Sequence, residues 1–304
     1  MVIADRASVV ACAVIDNYTS YRGSVILFGV LFYCIQLYCD FSGGIDIARG
    51  VAKLFGIDMA HNFKRPLFAK NLQEFWRRWH ITLGAWLKDY LFYPITLSKP
   101  FIKLGKFTRA HIKGKAGKIL PTSLATFIVY FVIGIWHGAE WKYILFGCYN
   151  GVIITASLLL EPWFIKTRNN LKIKDESNWY GMFCILRTVL IVVIGRYITR
   201  AAGVGEAFEM LAKTVTDFSV APALDGTLFA LGLTKFDYLV VLLGAVSIFV
   251  IEFSEERGVR LSEKIEEKGV LPTFIFIFLA LFIFVVFGIF RGDYIASEFI
   301  YKQF

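Results

Sequence analysis

Four histidines are the scarce catalytic currency of this 304-residue chain: His61, His80, His111 and His137. His61 precedes Asn62 and a nearby proline, and His111 sits in a basic stretch; both read as solvated. His137 closes a run without charged residues and is framed by Trp136, Gly138 and Trp141. An ionisable group at membrane depth is costly, so it marks a site by default. The alternative is an imidazole hydrogen-bonded within a helix bundle or lying at the interface. His80 follows Phe75-Trp76-Arg77-Arg78-Trp79, where a histidine on an aromatic face serves packing as readily as chemistry. Arg77 and Arg78 suit a phosphate or carboxylate, or simply reach toward lipid headgroups.

A neutral imidazole, with an ordinary pKa near 6.5, can act as a general base at physiological pH. Acyl transfer to a hydroxyl needs such a base, because an alcohol attacks poorly until its proton is leaving. The chain has no G-x-S-x-G elbow, no P-loop and no G-x-G-x-x-G. A covalent serine route is therefore unsupported, and direct transfer is the simpler chemistry. No His/Asp/Glu spacing supports a metal site.

The elements that must position these groups are apolar helices. Hydrophobic residues make up 57% of the chain, charged residues 19%, and mean hydropathy is +0.60. Ile119–Ala139 and Val270–Phe290 are uncharged over 21 residues each and Tyr143–Leu160 over 18; Ser24–Cys39 and Tyr238–Ile251 are shorter. About 20 apolar residues cross the hydrocarbon core as a helix. The expectation is an all-α polytopic membrane protein, with Gly181–Ile198, which contains Arg187 and Arg196, as a further helix. A short helix is expected over Ala7–Asp16. Asp40-Phe41-Ser42-Gly43-Gly44 is expected to interrupt the first span. Leu72–Leu97 reads as one amphipathic helix, interfacial or re-entrant, with Trp76, Trp79, Leu83 and Leu87 on one side. Ile119–Ala139 and Tyr143–Leu160 read as a hairpin.

The net charge of +9 does not indicate nucleic acid. Seven Lys/Arg and no acid lie within Lys99–Lys118, the signature of a cytoplasmic loop that touches anionic lipid. The five cysteines form no Cys-x-x-Cys pair and read as free thiols.

Phe75-Trp76-Arg77-Arg78-Trp79-His80-Ile81-Thr82-Leu83, continued by Trp86-Leu87-Lys88-Asp89-Tyr90-Leu91, resembles the signature of membrane-bound O-acyltransferases. The similar branch is the bacterial alginate O-acetylase type, to which the teichoic acid D-alanyl transfer proteins are related. Tyr38-Cys39-Asp40-Phe41-Ser42-Gly43, Asn62-Phe63-Lys64-Arg65-Pro66 and Trp136-His137-Gly138-Ala139-Glu140-Trp141 agree in order. The terminal Phe299-Ile300-Tyr301-Lys302-Gln303-Phe304 resembles the usual ending, with lysine where an aromatic is common.

The resemblance implies His137 as the catalytic histidine and His80 as a second signature histidine. It places Trp76, Arg77, Arg78, Trp79, Trp136, Trp141 and Asp40 among substrate-binding or supporting groups. It implies a single membrane domain over 1–304, with helices around a tunnel or funnel. The family carries further helices before a segment like Val2-Ile3-Ala4-Asp5-Arg6, so this chain corresponds to the C-terminal part of that pattern. It implies a multi-pass protein of the bacterial inner membrane. Expected partners are lipid, an extracytoplasmic acyltransferase and a polysaccharide acceptor. No cofactor stays bound; the donor is a thioester, acetyl-coenzyme A or an acyl carrier protein. D-alanyl transfer to teichoic acid, a transporter lined by Arg187, His137 and Asp40, and a non-catalytic scaffold are the competing expectations.

Overall fold

The computed structural model describes residues 1–289; the terminal motif 299–304 and the last residue of the run ending at Phe290 lie outside the described residues. The described residues are helical, with one isolated bridge between Phe63 and Trp79. In chain order the helices are α1 (Ala4–Ile15), α2 (Gly23–Leu54), α3 (Leu72–Arg78), α4 (Ile81–Leu87), α5 (Tyr93–Leu97), α6 (Lys99–His111), α7 (Lys115–His137), α8 (Trp141–Leu159), α9 (Glu161–Asn170), α10 (Asn178–Arg200), α11 (Val204–Thr216), α12 (Ala221–Leu224), α13 (Lys235–Glu256), α14 (Leu261–Glu266) and α15 (Val270–Phe287). Among them α2, α7, α8, α10, α13 and α15 are long and apolar enough to cross a membrane. The chain is a polytopic all-α membrane protein.

Two compact units divide the chain: residues 60–208, and residues 1–59 with the chain from 209 onward. In the latter, α1 packs on α2, where the absent side chain of Gly29 admits Val14; a Cβ there would lie 2.6 Å from a Val14 methyl. Val10, Val14, Val25, Phe32 and Val241 form its buried core. Arg6 donates to Asp237 at 2.8 Å, and the Tyr38 hydroxyl donates to the Glu252 carboxylate. Asp40-Phe41-Ser42-Gly43-Gly44 does not interrupt α2. Each glycine costs a helix only about 1 kcal/mol, and Ser42 turns its hydroxyl back onto the Tyr38 carbonyl at 2.6 Å. A polar cluster is therefore carried through one 32-residue helix.

In the other unit, α7 and α8 form the expected hairpin. Gly134 and Gly147 face each other: a Cβ on Gly147 would stand 2.5 Å from the Tyr130 carbonyl and 2.9 Å from Gly134 Cα. Small residues that let backbones approach are the usual means of packing helices where lipid offers no hydrophobic drive. The stretch expected as a basic loop is largely the helix α6, whose Thr108 hydroxyl donates to the Gly117 carbonyl at 2.7 Å. That carbonyl needs a donor because Pro121, four residues on, has no N–H. Tyr149 of α8 donates to Ile191 of α10 at 2.8 Å, and Gly195 lets α10 close on Phe146.

Candidate active site

Leu72–Leu97 is not one helix. The chain leaves α3 at Arg78, Trp79 is extended, and His80 takes the left-handed conformation at φ 48° before α4 begins. That conformation costs a non-glycine residue about 1–2 kcal/mol, and the upstream Asn62-Phe63-Lys64 segment compensates for it. Lys64 N–H donates to the Arg78 carbonyl at 2.9 Å, and Ile81 N–H to the Asn62 carbonyl at 3.0 Å. The Asn62 side-chain oxygen accepts from Thr82 N–H at 3.0 Å and from the Thr82 hydroxyl at 2.7 Å. Asn62 thus caps α4 from outside, because His80, at the capping position, makes no such bond with its side chain. Phe63 packs edge-on against Trp79 at 5.0 Å. Beyond α4, residues Lys88–Phe92 form a π-helical turn, a feature common at functional sites.

His137 ends α7. Gly138 follows at φ 147°, and a Cβ on it would lie 2.9 Å from two atoms of the Tyr143 ring. Both conditions select glycine, so the tight turn into α8 fixes where the imidazole stands. The His137 ring lies 6.3 Å from Tyr143, 6.0 Å from Phe146 and 4.9 Å from Trp136. Trp136 in turn meets His80 at 6.1 Å, nearly perpendicular. One indole therefore touches both histidines, which come from elements more than 50 residues apart.

His80, Trp76, Arg77 and Trp79 face a cavity of about 490 Å³, together with Lys88 and, from α7, Thr126, Tyr130 and Ile133. That volume suits a small or medium ligand. Burial pushes the His80 imidazole down to about 4. It is neutral at physiological pH, so the cations of this wall are Arg77 and Lys88.

The other expected residues are placed differently. Trp76 donates to the buried Asn150 side chain at 3.1 Å. Arg78 turns from the cavity to Glu74 at 2.7 Å and to the Arg65 carbonyl at 3.2 Å. Trp141 is 76% exposed and lines a shallower cavity of about 700 Å³ with Glu140, Lys142 and Cys148. Asp40 belongs to α2, in the unit of residues 1–59. His61 and His111 are exposed.

Sequence reasoning gave no role to Asn62, Asn150 or Arg196. Asn62 carried a signal in its place within Asn62-Phe63-Lys64-Arg65-Pro66; Asn150 and Arg196 carried only that of a polar residue inside an apolar run.

The chain is 33% identical over 210 residues to the probable alginate O-acetylase AlgI of Pseudomonas aeruginosa, covering 68% of this chain and 34% of that protein. It is 29% identical over 187 residues to the teichoic acid D-alanyltransferase of Bacillus subtilis, covering 60% and 44%. It is 36% identical over 156 residues to the peptidoglycan O-acetyltransferase of Helicobacter pylori, covering 51% and 26%. The chain thus spans between about a quarter and under a half of these relatives. The pattern of the MBOAT, membrane-bound O-acyltransferase, family matches residues 13–186, both histidines included. More than half of the sequence carries that pattern, and the chain belongs to the membrane-bound O-acyltransferase family.

Proposed function

We propose that this chain carries the reaction centre of a bacterial inner-membrane O-acyltransferase that esterifies hydroxyls of a cell-surface or exported polysaccharide, with acetyl as the acyl group. The observation that carries the reading is the pair of histidines gathered on Trp136, one of them on the wall of the 490 Å³ cavity. The donor is a thioester, from acetyl-coenzyme A or an acyl carrier protein, and an extracytoplasmic acyltransferase completes delivery. His137 takes the hydroxyl proton as the hydroxyl oxygen bonds to the thioester carbonyl carbon, and the carbonyl electron pair moves to its oxygen. Collapse of that intermediate expels the thiolate, which receives the proton from the imidazolium. His80, neutral and rigidly held, positions the acceptor by hydrogen bonding. A membrane-embedded, aromatic-walled site limits hydrolysis of the donor.

D-alanyl transfer to teichoic acid is the second reading, favoured by the similarity to the Bacillus subtilis protein. Ester content of the surface polymers, compared between cells with and without the gene, decides: released acetate supports the first reading and released D-alanine the second. His137→Ala abolishes the ester at unchanged membrane abundance. Retained ester in that variant refutes the assignment of the base.

A further inference from the structure

Arg196 is a buried positive charge in an apolar helix. It lies on α10, a candidate span, and is only 7% exposed. Its guanidinium stands over Trp79 at 5.4 Å and over Phe146 at 5.7 Å. Among the described residues no carboxylate pairs with it. Aromatic faces attract a cation but do not neutralise its charge. A small void of about 10 Å³, room for about one water, adjoins Arg196, Asn150 and Trp76. Burying an unpaired charge costs free energy that two ring contacts only partly offset, so packing does not account for arginine here.

The rings that hold Arg196 are those of the site. Phe146 lies 6.0 Å from the His137 ring, and Trp79, next to His80 in the chain, lines the cavity. Arg196 thus lies against Trp79, a residue of the cavity wall, and against Phe146, a ring neighbour of His137.

We infer that Arg196 is an electrostatic positioning residue: a fixed positive charge behind the Trp79–Phe146 wall that stabilises the negative charge building on the acyl carbonyl oxygen. The inference rests on the acyl-transfer reading above. Among the described residues no carboxylate neutralises it, because the counter-charge arises only during the reaction. Fixed charge in a site screened from water acts without reorganisation, which is why such groups contribute heavily to catalysis.

The test compares wild-type, Arg196→Met and Arg196→Lys in membrane vesicles supplied with radiolabelled acetyl-coenzyme A and the host's surface-polymer fraction. Rates are taken per folded molecule, and thermal midpoints are measured in detergent. For Arg196→Met, kcat falls at least about thirty-fold, KM for the donor stays within about two-fold, and the midpoint is unchanged or higher. Arg196→Lys, which keeps the charge, retains kcat within about five-fold. A role limited to clamping the two rings would lower stability and rate together. Such a joint loss, an Arg196→Met kcat within about three-fold of wild type, or equal losses in Met and Lys variants overturns the inference. His137→Ala in the same assay separates the two levels: if it stays active, the acyl-transfer reading itself fails; if it is dead while Arg196→Met is active, only the role of Arg196 fails.

Discussion

Asn62→Ala removes the device that holds His80. The Asn62 side-chain oxygen accepts two bonds from Thr82, one of them from a first-turn N–H of α4 that has no helical partner. Each accepted bond contributes about 1 kcal/mol net, and loss of a helix cap costs about 0.5–2 kcal/mol. About 2 kcal/mol is therefore withdrawn from a turn that already carries about 1–2 kcal/mol of left-handed strain at His80. The ratio of held to open turn falls by about thirty-fold. Hydrogen exchange of the peptide covering 79–87 reports this directly, since local opening carries its own free energy. Exchange there accelerates by about thirty-fold in Asn62→Ala, peptides from α7 and α8 are unaffected, and ester transfer falls at least about ten-fold. Asn62→Asp, which keeps an acceptor oxygen, changes exchange by less than about three-fold. Wild-type exchange at 79–87 in Asn62→Ala would show that backbone pairing alone holds the turn. Accelerated exchange with undiminished transfer would show that the placement of His80 does not matter to the reaction. Either result refutes the reasoning.

Two further predictions follow from the geometry. Gly138→Ala forces a Cβ to within 2.9 Å of the Tyr143 ring at φ 147° and displaces His137, so ester transfer falls at least about a hundred-fold while the protein still reaches the membrane; normal transfer would mean that the turn relaxes freely. His80 titrates near 4 when folded, against about 6.5 unfolded, so the unfolded chain binds the extra proton first. Its contribution to stability is complete above about pH 6.5 and is lost as the pH falls toward 4. The thermal midpoint therefore declines over that window and declines less in His80→Gln; an identical decline in both proteins would mean that His80 is not buried as a neutral base.

The spans were legible in the sequence because charge-free length is a local property and the bilayer thickness sets its scale. All six expected apolar helices appear, with Arg196 inside α10 and His137 at the end of α7. The hairpin between α7 and α8 was legible for the same reason: a polar interruption separates two long apolar runs. Where the reading failed, a distant partner decides the local structure. Helical periodicity continues unbroken from Leu72 to Leu97, and nothing within that stretch demands a break at Trp79 and His80. The break exists because Asn62-Phe63-Lys64 offers the backbone an alternative set of hydrogen bonds, a preference written some 15 residues upstream. The opposite error at Asp40–Gly44 has the same origin, since short polar residues and glycines weaken a helix by amounts that packing readily outweighs.

The same distinction separates the parts of the site. His80 and His137 could be chosen from sequence because imidazole is rare and chemically distinctive. Their convergence on Trp136 could not, because it depends on how the turn at Gly138 and the break at His80 present two rings to one indole. Arg196 shows the limit most sharply. Arg187 and Arg196 look alike in the sequence, two arginines nine residues apart in one apolar helix. Arg187 is exposed and finds the Lys70 carbonyl at 2.8 Å, whereas Arg196 is enclosed by Trp79 and Phe146, the latter a ring neighbour of His137. Helical geometry explains the split: nine residues are two and a half turns, which puts the two side chains on opposite faces of α10. One face looks outward, and the other looks toward Trp79 and Phe146. What separates the exposed Arg187 from the enclosed Arg196 is thus which face of α10 the chain buries, and Gly195 lets α10 close on Phe146 beside that face.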